Sequence, residues 1–407
     1  MPCSHALNFR HLFAAVTIAR LGNISRAVER IHISQPALTH AMAKLEIQLN
    51  EKLFERRNHG VSPTKTGALF LAHVEDGLNH LAEAAQQLRQ SGKMKPLSTP
   101  ALHITSTQLR AFLAVLRMGS YIAAAKLLHF SQPSIYRAVR ELQSFLGVTL
   151  FETTGKTIRA PQATIRFGAQ VQLALSCIQS GLDELSALQD PGSGRILLGS
   201  LPLARSALLP DLLAKFSSLF PKATINVMEG QYSELIHGLQ NGTIDMLFGA
   251  LRTNFDPPDL LQKPLFFDEL RVVCRPNHPL TATTPQASHL PDYPWIVPAP
   301  HSPAQAIWTN FMKDHCGSFP TQQIHCGSIL LTRELLRKGN WLALMSPYQF
   351  KLEKEYGILT GLDIKLPNSI RPIGLTLRKN WRPTSIHENF LAMAEEMALQ
   401  LPAGQLD

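Results

Sequence analysis

The sequence predicts a multidomain chain: two α-rich domains of one kind, each ending in a long helix, and then an α/β domain of two lobes. Three observations predict it. The stretch "HISQPALTHA", His32 to Ala41, returns 97 residues later as "HFSQPSIYRA", His129 to Ala138. Behind each copy runs a long apolar seam at heptad spacing. Beyond the polar, Gly-bearing joint "DPGSGR" at 190–195, strand-like and helix-like runs alternate almost to the end.

The repeat extends well past ten residues. Leu12, Ala14, Gly22, Ala27, Ser34, Gln35, Pro36, Leu45, Leu53, Phe54 and Glu55 all have identical counterparts 97 positions on, from Leu109 to Glu152. Self-similarity over a domain-length period indicates duplication. In the first copy the apolar positions of "LFAAVTIARLG" stop at Gly22, a helix-ending signal. "SRAVERIH" makes a short helix with Ala27 and Ile31 inward. Ser34 then supplies an N-cap oxygen, and Pro36 falls in the first turn, where a missing N–H costs nothing. The helix that follows buries Leu38, Met42, Leu45 and Leu49, leaving Gln35, Ala37, Thr39, His40 and Ala43 outside. A capped helix set across a shorter one by a tight turn is helix-turn-helix geometry, whose exposed first turns reach base edges in a major groove.

"LFERRNHGVSPT" reads as a two-strand wing with "NHG" at its tip, and Arg56 and Arg57 are placed to meet phosphates. Next comes a helix with the seam Leu71, Val74, Leu78, Leu81, Ala85, Leu88; its counterpart is Gly168, Val171, Leu175, Ile178, Leu182, Leu185. Steps of three and four define a pairing helix in each copy. The connection between the copies is 15 residues, about 50 Å at full extension, and a short tether raises local concentration into the ~mM range. The two seams are therefore expected to pair within one chain.

Charge follows the same division. The chain carries +9 overall; residues 1–95 hold 12 Lys/Arg against 7 Asp/Glu, and residues 96–190 hold 8 against 5. The remaining residues are nearly balanced, at 19 against 18. The basic excess thus lies with the repeats, which suits a polyanion such as double-stranded DNA. The five cysteines include no CxxC pair, so neither a disulfide framework nor a metal site is expected. No apolar run spans a bilayer, and "LFAAVTIA" has an internal counterpart in "LRAFLAVL", so it reads as core; a cytoplasmic protein without membrane contact is expected.

Both copies resemble the N-terminal winged helix-turn-helix and linker helix of LysR-type transcriptional regulators, over roughly 8–90 and 105–188. "SQPALTHAMAKLE…LFERR…PTKTG" carries the resemblance. One copy per chain is the family's usual arrangement, so the second is a departure. The copies also depart from the pattern in opposite ways. The family commonly has Arg where His40 stands, and the second copy keeps it as Arg137; Arg56, Arg57, Thr64 and Gly67 fit the family wing, where the second copy has Thr153, Thr154, Pro161 and Thr164. The resemblance implies DNA contact by Ser34, Gln35, Pro36, Thr39, His40, Arg56 and Arg57 in the first copy. In the second it implies contact by Ser131, Gln132, Pro133, Tyr136 and Arg137.

The expected domains are winged helix-turn-helix units at 1–63 and 105–160, linker helices at 64–90 and 161–189, a connector at 91–104 and a joint at 190–194. Residues 195–407 resemble the family's effector-binding domain, two-lobed like periplasmic binding proteins, with lobe I at about 195–268 and 371–407 and lobe II at about 269–370. "GNWLALMSP" and "RPIGLTLRKNWRPT" are similar to a branch tied to aromatic-acid or sugar-derived metabolites. Within the cleft, Ser200, Ser233, Ser302 and Ser328 each read as lying between a strand and a helix. There a hydroxyl and free backbone N–H groups favour a carboxylate or other small anion. Serines that merely cap their helices have the same spacing. Arg205 and His301 are charge partners of lower weight.

No GxSxG, HExxH, Walker A loop or cofactor fingerprint occurs, so no enzyme and no cofactor is expected. A sequence-indifferent architectural DNA protein would leave the second half idle. The reading is a ligand-responsive, sequence-specific transcription regulator whose partners are DNA, a small-molecule effector, further copies of itself as dimer or tetramer, and RNA polymerase.

Overall fold

The computed structural model describes residues 4–57, 60–97, 99–154, 157–206, 208–253, 255 and 257–401. The first copy contains α1 (Phe9–Leu21), α2 (Ile24–Ile31), α3 (Gln35–Leu49), strands β1 (Phe54–Arg57) and β2 (Gly60–Pro63), and the linker helix α4 (Lys65–Ser91). The second repeats this order as α5 (Ser106–Met118), α6 (Tyr121–Leu128), α7 (Gln132–Leu146), β3 (Glu152–Thr154), β4 (Thr157–Arg159) and α8 (Gln162–Gln189). Side chains define the helix starts: Asn8, Asn23 and Ser34 in one copy, Thr105, Ser120 and Ser131 in the other, each accept a backbone N–H of the first turn. Gly22 and Gly119 end α1 and α5 in the left-handed region, at φ 61° and 59°.

α4 and α8 pack antiparallel. Gly77 lies against its own repeat counterpart, Ala174: a Cβ on Gly77 would stand 2.7 Å from the Ala174 carbonyl oxygen. Seven residues further along α8, Gly181 lies against Phe70, seven residues back along α4. Contacts that run in opposite senses from one crossing give the pair a local two-fold relation. The seam residues Leu71, Val74, Leu78, Leu81, Ala85 and Leu88, with Val171, Leu175, Ile178, Leu182 and Leu185, are all buried, and one continuous core runs from Leu7 to Leu185 through both copies. Each linker helix ends on the other copy. Arg89 Nη1 donates to the Leu146 carbonyl at 2.6 Å, and Gln189 Nε2 donates to the Asn50 carbonyl at 3.3 Å and to Glu51 Oε1 at 3.1 Å.

The second half has two sheets. The first, in the order β6-β5-β7-β14-β8, uses β5 (Gly194–Ser200), β6 (Ala223–Glu229), β7 (Met246–Ala250), β8 (Leu260–Glu269) and β14 (Ile370–Arg378). Helices α9 (Leu208–Leu219), α10 (Tyr232–Gln240) and α14 (Ser385–Leu399) cover it. The second sheet runs β11-β10-β12-β9-β13, from β9 (Arg271–Cys274), β10 (Trp295–Pro298), β11 (Gln323–Cys326), β12 (Leu342–Met345) and β13 (Thr360–Gly361). It carries α11 (Pro303–Phe311), α12 (Ile329–Lys338) and α13 (Lys351–Glu355). Each sheet is mixed: the three helix-linked strands are parallel, while β14 in the first sheet and β9 in the second run antiparallel to the strands on either side of them. Where the chain crosses, Asp268 and Arg371 form a buried ion pair at 3.0 Å, and Ser346 of the second lobe donates to the same carboxylate at 2.5 Å.

This half is seated on the linker pair. Glu184 of α8, itself buried, accepts the Ser385 backbone N–H at 2.8 Å and so caps the free start of α14. Arg382 pairs with Asp76 of α4 at 2.8 Å. Among the described residues no helix is long and apolar enough to cross a membrane.

Candidate functional sites

The starts of α3 and α7 project from the core in the same way. Ser34 Oγ accepts the Ala37 N–H at 3.4 Å, and Ser131 Oγ accepts the Ser134 N–H at 3.3 Å. Pro36 and Pro133 occupy the first turn. Leu38, Ala41, Met42 and Leu45 face inward, as do Ile135, Ala138, Val139 and Leu142, so 3.6-residue periodicity turns Gln35, Thr39 and His40, and Gln132, Tyr136 and Arg137, to solvent. The faces differ in chemistry. The first adds Ala43 and Lys44; the second adds Arg140, whose guanidinium lies 5.9 Å from the Tyr136 ring centre, and Glu141. Tyr136 also meets Tyr121 edge-on, with ring centres 5.4 Å apart. His32 and His129, the repeated histidines, take the left-handed position that ends α2 and α6, at φ 60° and 56°. They serve the turn, a role that the quoted motif does not disclose.

The wings differ in how they are held. In the first, Val61 N–H donates to the Gly22 carbonyl at 3.1 Å, and Thr64 caps α4 through the Gly67 N–H at 2.9 Å. Gly67 permits close packing, since a Cβ there would stand 2.1 Å from the Leu53 carbonyl oxygen. The second wing has Pro161 in place of Thr64, which gives no side-chain cap, and Thr164 in place of Gly67, fully buried with its hydroxyl unpartnered. One device is repeated: Glu46 and Gln143, at equivalent positions, accept the backbone N–H of Leu53 and Leu150 at 2.9 and 3.0 Å, fixing each wing's base to its recognition helix. Arg56 is exposed on β1. The Arg57, Thr153 and Thr154 side chains, and the tip residues Asn58 and His59, lie outside the described residues.

In the second half, Ser302 and Ser328 cap α11 and α12, accepting the Gln305 and Leu331 N–H groups at 3.1 and 3.3 Å. Two of the four serines expected at strand-to-helix junctions are placed otherwise. Ser200 is the last residue of β5, fully buried, and α9 does not begin until Leu208, so Ser200 caps nothing. Ser233 sits exposed inside the first turn of α10, because Gln231 takes the cap position and Glu234 reaches back to its N–H at 3.0 Å. The Arg205 side chain lies outside the described residues.

A cation that the sequence did not single out stands at the boundary of the lobes. Arg252 follows β7; its main-chain N–H and carbonyl are both held by the Gln262 side chain, at 2.7 and 3.0 Å. Its guanidinium lies 4.1 Å from the Tyr232 ring centre, and Nη1 donates to the His301 carbonyl of the other lobe at 2.7 Å. Its Nε is buried without a partner, and among the described residues no carboxylate pairs with it. His301 has a left-handed backbone, φ 60°, with its own N–H held by Gln305 at 2.7 Å.

Residues 189–398 match the LysR substrate binding domain, and residues 9–68 and 106–163 each match the bacterial regulatory helix-turn-helix protein of the lysR family. Among curated relatives, the HTH-type transcriptional regulator GalR of Pseudomonas putida is 28% identical over 371 residues, covering 91% of this chain and 92% of that one. The HTH-type transcriptional regulator PcaQ of Agrobacterium fabrum is 25% identical, covering 68% and 89%. A full-length OxyR variant from Pseudomonas aeruginosa shares the fold with a TM-score of 0.54, at 20% identity, over 74% of this chain and 95% of that one. CbnR, a LysR family transcriptional regulator, does so with a TM-score of 0.53, at 21% identity, over 72% and 98%. With both halves matched, and with two helix-turn-helix matches in one chain, the protein belongs to the LysR family of ligand-responsive, DNA-binding transcriptional regulators and is not an enzyme.

Proposed function

We propose that this regulator, acting in the cytoplasm, contacts DNA with both of its helix-turn-helix units and answers to a small carboxylate held between its lobes. Ser34, Gln35, Pro36, Thr39 and His40, with Arg56 and Arg57, meet the duplex from the first unit. Ser131, Gln132, Pro133, Tyr136 and Arg137 meet it from the second. The equal exposure of both capped first turns supports contact by both. Further association of chains runs through the second half, whose edge strand β6 exposes Val227 and Met228 and whose helix α9 exposes Leu219.

Arg252 carries the effector reading. A guanidinium stacked on Tyr232, bonded across the lobes to a neutral carbonyl and lacking a carboxylate partner, is suited to a bound anion. Ser233 in the first turn of α10, and Ser302 and Ser328 at the starts of α11 and α12, add the favourable ends of helix dipoles; Ser200 is buried at the end of β5. An effector carboxylate that takes the Nη1 now given to His301 would alter how the lobes are joined. A thermal-shift screen of aromatic and sugar-derived carboxylates tests this. Acids that raise the Tm of the native chain should fail to raise that of Arg252→Ala, while DNA binding by the variant persists. Stabilisation by neutral analogues alone would refute it.

A further inference from the structure

We propose that one chain is a complete operator-reading unit: its two unlike DNA-binding faces, locked in fixed order by α4 and α8, recognise a duplex whose two half-sites differ in sequence. The inference rests on the reading that both units contact DNA.

The pairing surfaces are already used within the chain. Both seams are buried against each other, and the crossing at Gly77 and Ala174 relates the units by a local two-fold. Arg89 on the Leu146 carbonyl and Gln189 on the Asn50 carbonyl fasten the two ends in matching fashion. Such a relation presents the two recognition helices to inverted half-sites, as a two-fold dimer does. Here, however, the faces are not copies. Where the first has Thr39, His40, Ala43 and Lys44, the second has Tyr136, Arg137, Arg140 and Glu141, all exposed.

These differences have distinct base chemistry. Arg137 can fork onto the O6 and N7 of a guanine, whereas the imidazole of His40 has no such fork. Glu141, whose carboxylate accepts from Gln108 Nε2 at 3.2 Å, brings a negative charge where Lys44 brings a phosphate-seeking cation. Gln35 and Gln132 are shared and suit the same base in each half, an adenine through N6 and N7. The expected operator is therefore two inverted half-sites with a common adenine-directed core, of which only one carries the guanine.

Selection of duplexes from a random library by the full chain, at fixed salt, tests this. The proposal expects unlike half-sites, with Arg137→Ala losing roughly tenfold in binding at the guanine and leaving the other half-site unchanged. Two identical half-sites would overturn it, and no enriched sequence would overturn the DNA-contact reading beneath it. A mixing experiment then separates pairing within a chain from pairing between chains. Thr39→Ala/His40→Ala chains are combined with Tyr136→Ala/Arg137→Ala chains on the selected duplex. The mixture should bind no better than its components added together. Restored affinity would mean that faces are shared between chains, and the proposal would fall.

Discussion

Single positions decide how each unit is finished. Thr164 stands where Gly67 lets α4 close onto the Leu53 carbonyl, and its buried hydroxyl has no partner. Such a group costs about 1–3 kcal/mol of desolvation that nothing offsets. Thr164→Val keeps the shape and removes the group, so it should raise stability by about 1 kcal/mol, read as a higher midpoint in urea; an unchanged or lower midpoint would contradict this. Arg56 belongs to a different physics, since it is exposed and has phosphates as its expected partners. Arg56→Ala should weaken binding to all duplexes alike and reduce the slope of log affinity against log salt by about one. A sequence-selective loss would instead make it a base reader. Ser34, Pro36, Ser131 and Pro133 were legible at this scale, because capping needs only neighbours in sequence. Arg252 was not: "GALRTN" reads as the end of a strand, and its partners Tyr232, Gln262 and His301 are brought to it by the sheet and by the second lobe. Ser200 and Ser233 were misplaced for the same reason, since alternation marks a strand and a helix but not the residues between them.

Helices and strands were easier to read than the way they meet. Heptad spacing identified both linker seams, while the closest approach, at Gly77 and Gly181, depends on which small residues face each other across the pair. His73, between those crossings, shows what that closeness costs. It is buried, with Gly181 against its Cβ, and burial pulls its pKa from the ordinary 6.5 down to about 4. Arg382 and His387 act in the same direction, and Asp76 opposes them. The unfolded chain thus binds a proton between pH 6.5 and 4 that the folded chain refuses. Stability present above pH 6.5 should therefore be lost as the pH falls through that window, by up to about 1.4 kcal/mol per pH unit. Denaturant midpoints for the native chain and His73→Leu, followed across the window, check this: the variant's stability should depend less steeply on pH, by about one proton. Parallel slopes would place the titration elsewhere.

At the scale of the whole molecule, the duplication shows how a regulator can carry two DNA-binding units on one effector domain. The repeat and the alternating second half made the fold class legible, whereas the seating of that half on α4 and α8 rests on Asp76, Glu184 and Ser385, which belong to no quoted motif, and on Arg382, whose place in "RPIGLTLRKNWRPT" does not disclose its partner. The core joining both units runs from Leu7 to Leu185 and takes no residue from the effector domain, so residues 1–190 contain what is needed to fold as a pair. The connector between Ser91 and Ser106 is short, and it keeps each linker helix at an effective concentration of roughly millimolar with respect to the other. Association between separate fragments at micromolar concentration cannot compete with that. Two chains would then meet through their effector domains, and removing those domains should leave a single fragment. By sedimentation the 1–190 fragment should be monomeric at micromolar concentration and still bind DNA. An obligate dimer would show that α4 and α8 pair between chains, with the tether serving only to space them.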